Sequence, residues 1–380
     1  MSKVPRRVCF LTATRADFGK LKSLMKSVQD DARLELSVFV TGMHMLARYG
    51  GTALEIRRSG FLDLHTFINQ DSTVTTQMDL VLATTVQGLG HYLRELKPDL
   101  LVIHGDRIEA LAGAIAGALN NVRTAHVEGG ELSGTVDELL RHAVSKLCHV
   151  HFVANEEAAA RLRQLGEQDA RIHVIGSPDI DVMLSDQLPP LTLVQERYEI
   201  PFDRYCIALL HPVTTEHAQM PGVASAFVDA LLASGRNFVV IDPNNDLGSD
   251  HIRHELQRLD SHPRFRRLPS LRFEYFLALL RYADGMIGNS SAGIREAPVY
   301  GRPVINVGTR QRGRFHAPGV VDVPADAAVM VAALSALPPS IETTDFFGDG
   351  RSAERFLAVL NTDAFWQADL QKQFVDRPVP

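Results

Sequence analysis

Val8-Cys9-Phe10-Leu11-Thr12-Ala13-Thr14-Arg15-Ala16-Asp17 sets the pattern of this chain: a short apolar run that breaks at once into a polar cluster. The run is too short for the hydrophobic region of a secretory signal and no cleavage signature follows, so it reads as a β-strand entering a loop. Outward from it the pattern repeats. Short β-rich runs at Leu36 to Val40, Leu100 to Ile103, Thr124 to Val127, His151 to Ala154 and Ile172 to Ile175 alternate with longer stretches of helical period. After a break near Leu188-Pro189-Pro190, the alternation restarts with Cys206 to Leu210, Phe238 to Ile241, Met286 to Ile287, Val304 to Val307 and Val320 to Val323. Such alternation argues for βαβ units and mostly parallel sheets, here in two doubly wound, Rossmann-like α/β halves.

A chain of 380 residues suits two domains, at roughly 150 residues per domain. The proline-bearing segment Asp186 to Asp203 has few features of a core strand and is taken as the hinge. The expected domains are 1–190 and 191–359, with C-terminal helices in 360–380 packing back on the first. The tail from Ser352 to Phe374 has apolar residues at partly helical spacing, interrupted at Asn361-Thr362-Asp363, and reads as two helices.

Composition narrows the function. Hydrophobic residues at 45% and charged residues at 22% are globular proportions, which exclude disorder, collagen and coiled coil. Lys plus Arg is 39 against 45 Asp plus Glu, for a net charge of -6, so no nucleic-acid partner is expected. No uninterrupted apolar segment reaches the length of a membrane span, and no membrane partner is expected. The three cysteines, Cys9, Cys148 and Cys206, form no C-x-x-C pair. They point to neither a disulfide framework nor a thiolate zinc site, and a reducing cytoplasm fits best.

In an open parallel sheet, ligands bind beyond the carboxyl ends of the strands. Nearly every apolar run here ends in a polar cluster at that position: Thr12 to Asp17, Thr41 to His44, His104 to Arg107, Glu128 to Glu131, Gly176 to Asp179, His211 to Thr215, Pro243 to Asp246, Gly288 to Ser291 and Gly308 to Arg310. Turns and helix caps call for Gly, Asn, Asp and Ser in any protein. They do not call for Arg15, His44, Arg107, His126, His211 and Arg310. Gly288-Asn289-Ser290-Ser291-Ala292-Gly293-Ile294-Arg295-Glu296 reads as strand, turn and helix, a candidate phosphate cradle at a positive helix end. Arg310, expected to close the next strand, is placed to neutralise the same phosphates.

Other chemistries lack their motifs. His126-x-Glu128 without a following P-C-x-x-C is no zinc deaminase. His149-x-His151 has no third ligand, and no G-x-G-x-x-G follows the first strand, so neither a metal nor a nicotinamide cofactor is expected. Asp106, Glu128, Glu131 and Asp137 instead form an acid/base set beside Arg107 and His126. A nucleotide sugar needs this combination. Its leaving diphosphate wants cations, the developing charge at the anomeric carbon wants a carboxylate, and loss of a neighbouring proton wants a base.

These residues carry a resemblance. Thr14-Arg15-Ala16-Asp17-Phe18-Gly19-Lys20-Leu21, His104-Gly105-Asp106-Arg107, and above all His126 through Glu138 resemble the hydrolysing UDP-N-acetylglucosamine 2-epimerases of sialic acid biosynthesis. The match continues through Arg141-His142, His211 to Thr215, Gly288 to Glu296 and Gly308 to Gln311, nearly the whole chain in order. The resemblance implies a GT-B fold with the active site in an interdomain cleft, no cofactor, a UDP-sugar substrate and a homodimer or homotetramer. It implies elimination of UDP with loss of the C2 proton, then hydration of the glycal to free N-acetylmannosamine. By motif position Asp106, Glu128 and Asp137 resemble the catalytic carboxylates, and His44 and His126, nearby in the sugar site, join them in the expected catalytic set. Arg15, Arg107, His211, Asn244, Ser290, Ser291, Glu296 and Arg310 resemble positions that hold UDP; Glu131 joins the substrate-binding set. The Glu-Gly-Gly-Glu-x-Ser-Gly-Thr-x-Asp string favours the hydrolysing branch.

Relatives acting on UDP-2,4-diacetamido-trideoxy or GDP-linked sugars on the way to legionaminic acid stay open as alternatives, because no residue reading C4 or C6 of the sugar is identifiable. A GT-B glycosyltransferase would share the phosphate site but leave the C2 hydrogen in place. A non-catalytic sensor is disfavoured, since binding an anionic diphosphate gains nothing from nearby carboxylates.

Overall fold

A computed structural model describes residues 4–47, 50–70, 77–134, 136–244 and 246–377. The chain divides into two compact units. Unit 1 comprises Met1–Glu131, Asp137–Ser185 and Phe346–Pro380; unit 2 comprises Leu132–Val136 and Asp186–Asp345. The unit boundary lies at Ser185/Asp186 and the chain rejoins unit 1 at Phe346, where the sequence reading places these points at 190 and 360.

Unit 1 is built on β1 (Arg6–Thr12), β2 (Leu34–Val40), β3 (Leu64–Thr66), β4 (Leu100–His104), β5 (Thr124–Val127), β6 (Val150–Val153) and β7 (Ile172–Val174). They form one sheet in the order β3-β2-β1-β4-β5-β6-β7, every pair parallel. Because side chains alternate across a strand, β1 feeds two cores. Val8 and Phe10 pack with Leu21, Leu24, Met25 and Val28 of the helix Arg15–Asp30, while Cys9 and Leu11 pack with Leu89 and Leu93 of the helix Met78–Leu96. Helices on both faces explain why this strand is apolar without interruption.

The tail forms the helices Ser352–Leu360 and Asp363–Gln367 and completes the unit 1 core. Phe356 is fully buried, its ring centroid 6.3 Å from Phe10 and 4.7 Å from Phe152. Further on, the Lys372 ammonium donates to the carbonyls of Ser145, Lys146 and Cys148 at 3.2, 2.7 and 2.6 Å. A cation at the carbonyl end of the helix Val136–Leu147 satisfies both its unpaired acceptors and its dipole.

Unit 2 repeats the plan with β8 (Cys206–Leu209), β9 (Phe238–Ile241), β10 (Phe265–Leu268), β11 (Gly285–Gly288), β12 (Val304–Val307) and β13 (Val320–Val323). The order is β10-β9-β8-β11-β12-β13, again all parallel. Cys206, Ala208, Phe238 and Val240 pack against Phe227, Leu231, Ile252, Met330 and Leu334 from the covering helices. The α/β class with two parallel sheets therefore holds as read. Among the described residues no helix is long and apolar enough to cross a membrane.

Candidate active site

With all strands parallel, each sheet has one rim of carboxyl ends, and the strand order reverses between β1 and β4 in unit 1 and between β8 and β11 in unit 2. Crevices at such reversals are where open α/β sheets take ligands. The residues singled out from the sequence fall on these two rims. Arg15, His44, Asp106, Arg107, His126, Glu128, Glu131 and Asp137 lie in unit 1; His211, Asn244, Ser290, Ser291, Glu296 and Arg310 lie in unit 2. Thr135 and Asn245, within two of the motifs, lie outside the described residues.

In unit 1 the loop after β1 is organised by Asp17. Its carboxylate accepts from the backbone N–H groups of Ala13 (2.8 Å) and Thr14 (2.9 Å) and from the Thr12 hydroxyl (2.6 Å). The Thr14 hydroxyl accepts from the Asp17 N–H, which completes a capping box at the start of the helix. Arg15 donates to Glu55 at 2.9 and 2.5 Å. His44 is 1% exposed. The Thr12 proton is engaged by Asp17, so His44 donates from Nε2 to Thr12 Oγ1 (3.0 Å) and accepts at Nδ1 from the Thr52 hydroxyl (2.5 Å). Burial pushes its pKa down to about 4, against the pull of Asp17 and Glu55, so the ring is neutral.

The loops after β4 and β5 form the densest part of the rim. Arg141, buried on the helix Val136–Leu147, donates from one guanidinium nitrogen to the Asp106 carboxylate and from another to the Glu128 carbonyl at 2.5 Å. Glu128 is a non-glycine residue at φ 63°, a left-handed conformation that L side chains seldom adopt. Held this way, its Oε1 accepts from the Ser177 hydroxyl and its Oε2 lies 3.0 Å from His104 Nε2. Gly130, at φ 73°, follows because a Cβ there would come within 2.2 Å of the Ala158 carbonyl oxygen. Beneath the loop His126, fully buried, donates from Nε2 to the Gly105 carbonyl (2.8 Å) and accepts at Nδ1 from the Ser145 hydroxyl (2.9 Å). Burial drives its pKa well below the usual histidine value, with the Gly105 bond opposing, and this ring too is neutral.

Asp137 lies in the first turn of the helix that carries Arg141, one turn earlier, so the two share a face. Glu131 is 8% exposed at the end of the β5 loop. Arg107 caps the helix Ile108–Leu119, its Nε 3.4 Å from the buried carboxylate of Glu109. His151, half of the rejected histidine pair, is fully buried 3.0 Å from Glu167, while His149 accepts from the Thr124 N–H at 3.1 Å.

The organiser of the unit 2 rim is Asn289. Its side-chain oxygen accepts from the His211 N–H at 2.6 Å and its amide nitrogen donates to the His211 carbonyl at 2.8 Å, joining the loops after β8 and β11 at the reversal. The His211 ring accepts at Nδ1 from the Asn244 N–H (3.1 Å), which brings in the loop after β9. The Asn289 carbonyl accepts from Gln311 at 2.8 Å and from Arg310 at 3.4 Å, which brings in the loop after β12. The order strand, turn and helix read over Gly288 to Glu296 holds, and the structure refines the sequence reading in two places. The helix after Ser290-Ser291 is a single turn, Ala292–Arg295, followed by the 3-10 turn Ala297–Tyr300, because Pro298 cannot continue an α-helix. β12 ends at Val307, so Arg310 lies in the following turn and does not close the strand. Ser290 accepts from the Ala292 N–H at 3.3 Å, Ser291 begins the turn, and Glu296 is 3% exposed at its end.

His104, Arg141, Ser177 and Asn289 belong to these rims although the sequence reading assigned them no role. His104, Arg141 and Asn289 stood inside quoted motifs. Ser177 closed an apolar run at Gly176-Ser177 with nothing to tie it to Glu128, 49 residues away.

Two doubly wound units of this kind define the GT-B class of α/β proteins. Over residues 26–361 the chain matches the family described as UDP-N-acetylglucosamine 2-epimerase, and it belongs to that family. It is 46% identical over 376 residues to the UDP-N-acetylglucosamine 2-epimerase of Neisseria meningitidis serogroup B, covering 98% of this chain and 99% of that one. It is 34% identical over 361 residues to the hydrolysing UDP-N,N'-diacetylbacillosamine 2-epimerase of Legionella pneumophila, covering 94% and 96%. The solved structure of the N. meningitidis UDP-GlcNAc 2-epimerase bound to UDP-GlcNAc shares the fold, with a TM-score of 0.77 at 17% identity over 93% of this chain and 99% of that one.

Proposed function

We propose that the protein is a hydrolysing UDP-N-acetylglucosamine 2-epimerase that converts UDP-N-acetylglucosamine and water to N-acetylmannosamine and UDP, in the making of sialic acid for a capsule. The observation that carries this reading is that Arg141 ties the Asp106 carboxylate to the backbone carbonyl of Glu128, which brings the two acidic residues to one rim. An elimination across C1 and C2 needs a base for the C2 proton and stabilisation of the leaving diphosphate, and hydration of the glycal needs a proton donor and a base for water. Asp106, Glu128 and Asp137 supply those proton transfers. His44 and His126, whose ring nitrogens are engaged internally, hold the loops in place and do not exchange protons with substrate.

The unit 2 rim holds UDP. His211, Asn244, Ser290, Ser291 and Arg310 surround the β8/β11 reversal, and Glu296 reads the ribose hydroxyls. Arg15, Arg107 and Glu131 lie on the unit 1 rim at positions that resemble substrate-binding positions of the family. The identity of 46% to the meningococcal enzyme, against 34% to the diacetylbacillosamine enzyme, favours N-acetylglucosamine as the sugar. Chromatography of the products tests the reading. Equal amounts of free N-acetylmannosamine and UDP support it, whereas UDP-N-acetylmannosamine without UDP release makes the protein a non-hydrolysing epimerase.

A further inference from the structure

Glu128 is reached from four parts of unit 1. Its own backbone is fixed by its N–H donating to Phe152 O (2.9 Å) and its carbonyl accepting from Arg141. Its carboxylate receives the Ser177 hydroxyl on one oxygen and faces His104 Nε2 across 3.0 Å on the other. Ser177 is fully buried. It precedes the helix Pro178–Met183 without capping it through its side chain, and its hydroxyl donates to Glu128. Its own N–H donates to Phe347 O at 2.6 Å, from the segment in which the chain returns to unit 1.

From this geometry we propose that Ser177 is a positioning residue for the epimerase reaction: its hydroxyl holds the Glu128 carboxylate in one rotamer and favours its ionised form. The proposal rests on the functional reading above for the role of Glu128, but not for the hydrogen bond itself. A donor to a carboxylate stabilises the charged state, and a side chain fixed before substrate arrives loses less freedom in the transition state. The charged and titratable groups on the surrounding elements include His104, Asp106, His126, Arg141, the buried Lys20–Asp179 ion pair at 3.0 Å, and Asp181, whose carboxylate accepts from the Ser352 and Ala353 N–H groups. Ser177→Ala removes the hydroxyl that reaches Glu128 and leaves the N–H to Phe347 in place.

The test compares Ser177→Ala, Ser177→Thr and Ser352→Ala with the parent protein. Ser352 is a second fully buried serine of unit 1, at the start of the helix Ser352–Leu360, and controls for loss of a buried hydroxyl in this region. Carbon NMR of glutamate labelled at the carboxyl, with the Glu128 signal assigned through Glu128→Gln, reads the ionisation directly. Ser177→Ala should raise the Glu128 midpoint, since the charged carboxylate loses a hydrogen-bond donor, Ser177→Thr should restore it, and Ser352→Ala should leave it in place. In turnover, Ser177→Ala should lower kcat by about tenfold with KM within about twofold, and the limb of the pH profile that reports Glu128 should move to higher pH. A Glu128 titration unchanged in Ser177→Ala, or moved equally by Ser352→Ala, would overturn the proposal. If the parent turned over no nucleotide sugar, the functional reading would fall, and the NMR titration alone would decide the place of Ser177.

Discussion

Arg141 and Asp106, 35 residues apart, form the ion pair that ties the helix Val136–Leu147 to the loop after β4, and the same guanidinium also holds the Glu128 carbonyl. A planar fork makes both bonds at once; a lysine ammonium at the end of a flexible stem does not. Arg141 is 5% exposed, so Arg141→Met leaves the Asp106 carboxylate without its buried cation. We expect a loss of stability of roughly 2–4 kcal/mol and of turnover by about a hundredfold or more, with Arg141→Lys recovering part of the stability and little of the activity. Urea unfolding and steady-state kinetics check both.

Variants on the two rims should separate chemistry from binding. Asp106→Asn and Glu128→Gln should abolish turnover while UDP affinity, measured calorimetrically, survives. Ser290→Ala and Arg310→Ala should weaken UDP binding by about 1–3 kcal/mol, the worth of a hydrogen bond to a charged group. Loss of UDP binding in a folded Glu128→Gln protein, or unchanged affinity in Arg310→Ala, would contradict the assignment of the rims.

Gly288 ends β11 at φ 141°, and a Cβ there would sit 1.9 Å from the Leu209 carbonyl oxygen of β8. Gly288→Ala must therefore push apart the two strands whose loops Asn289 joins. A destabilisation of about 2 kcal/mol or more is expected in urea unfolding, together with weakened UDP binding.

Stability should fall in mild acid. His44 and His126 are neutral in the folded protein, with pKa values depressed chiefly by burial, to about 4 for His44 and well below the usual value for His126. In the unfolded chain both take up protons near pH 6.5. Between those limits the unfolded state binds more protons, so stability is fully present above about pH 6.5 and is lost as pH falls toward 4, by about 3 kcal/mol for His44 alone. Urea midpoints measured from pH 7.5 to 4.5 should decline along this course, and less steeply in His44→Gln.

Much of the fold was legible because apolar runs buried on both faces are hard to mistake. β5, β9, β12 and β13 coincide with their predicted runs. The strands missed are β3 and β10, and both lie at sheet edges. Leu64-His65-Thr66 is three residues long and partly exposed, and Phe265-Arg266-Arg267-Leu268 carries two arginines at its centre. Edge strands need little apolar surface and tolerate charge, so neither leaves a strong pattern. The candidate site was legible where polar residues follow apolar runs, as at Asp106, Glu128 and His211. It was not legible where the role arises from tertiary contact, as for Ser177 on Glu128 and Arg141 on Asp106. Asp17 shows the converse: a carboxylate in a rim motif whose visible bonds are those of a helix cap.

The most direct test of the account is proton NMR of the protein with UDP-N-acetylglucosamine in D2O, following sugar and nucleotide signals together. Elimination followed by hydration predicts UDP and free N-acetylmannosamine carrying deuterium at C2. UDP release with the original hydrogen retained at C2 would contradict it.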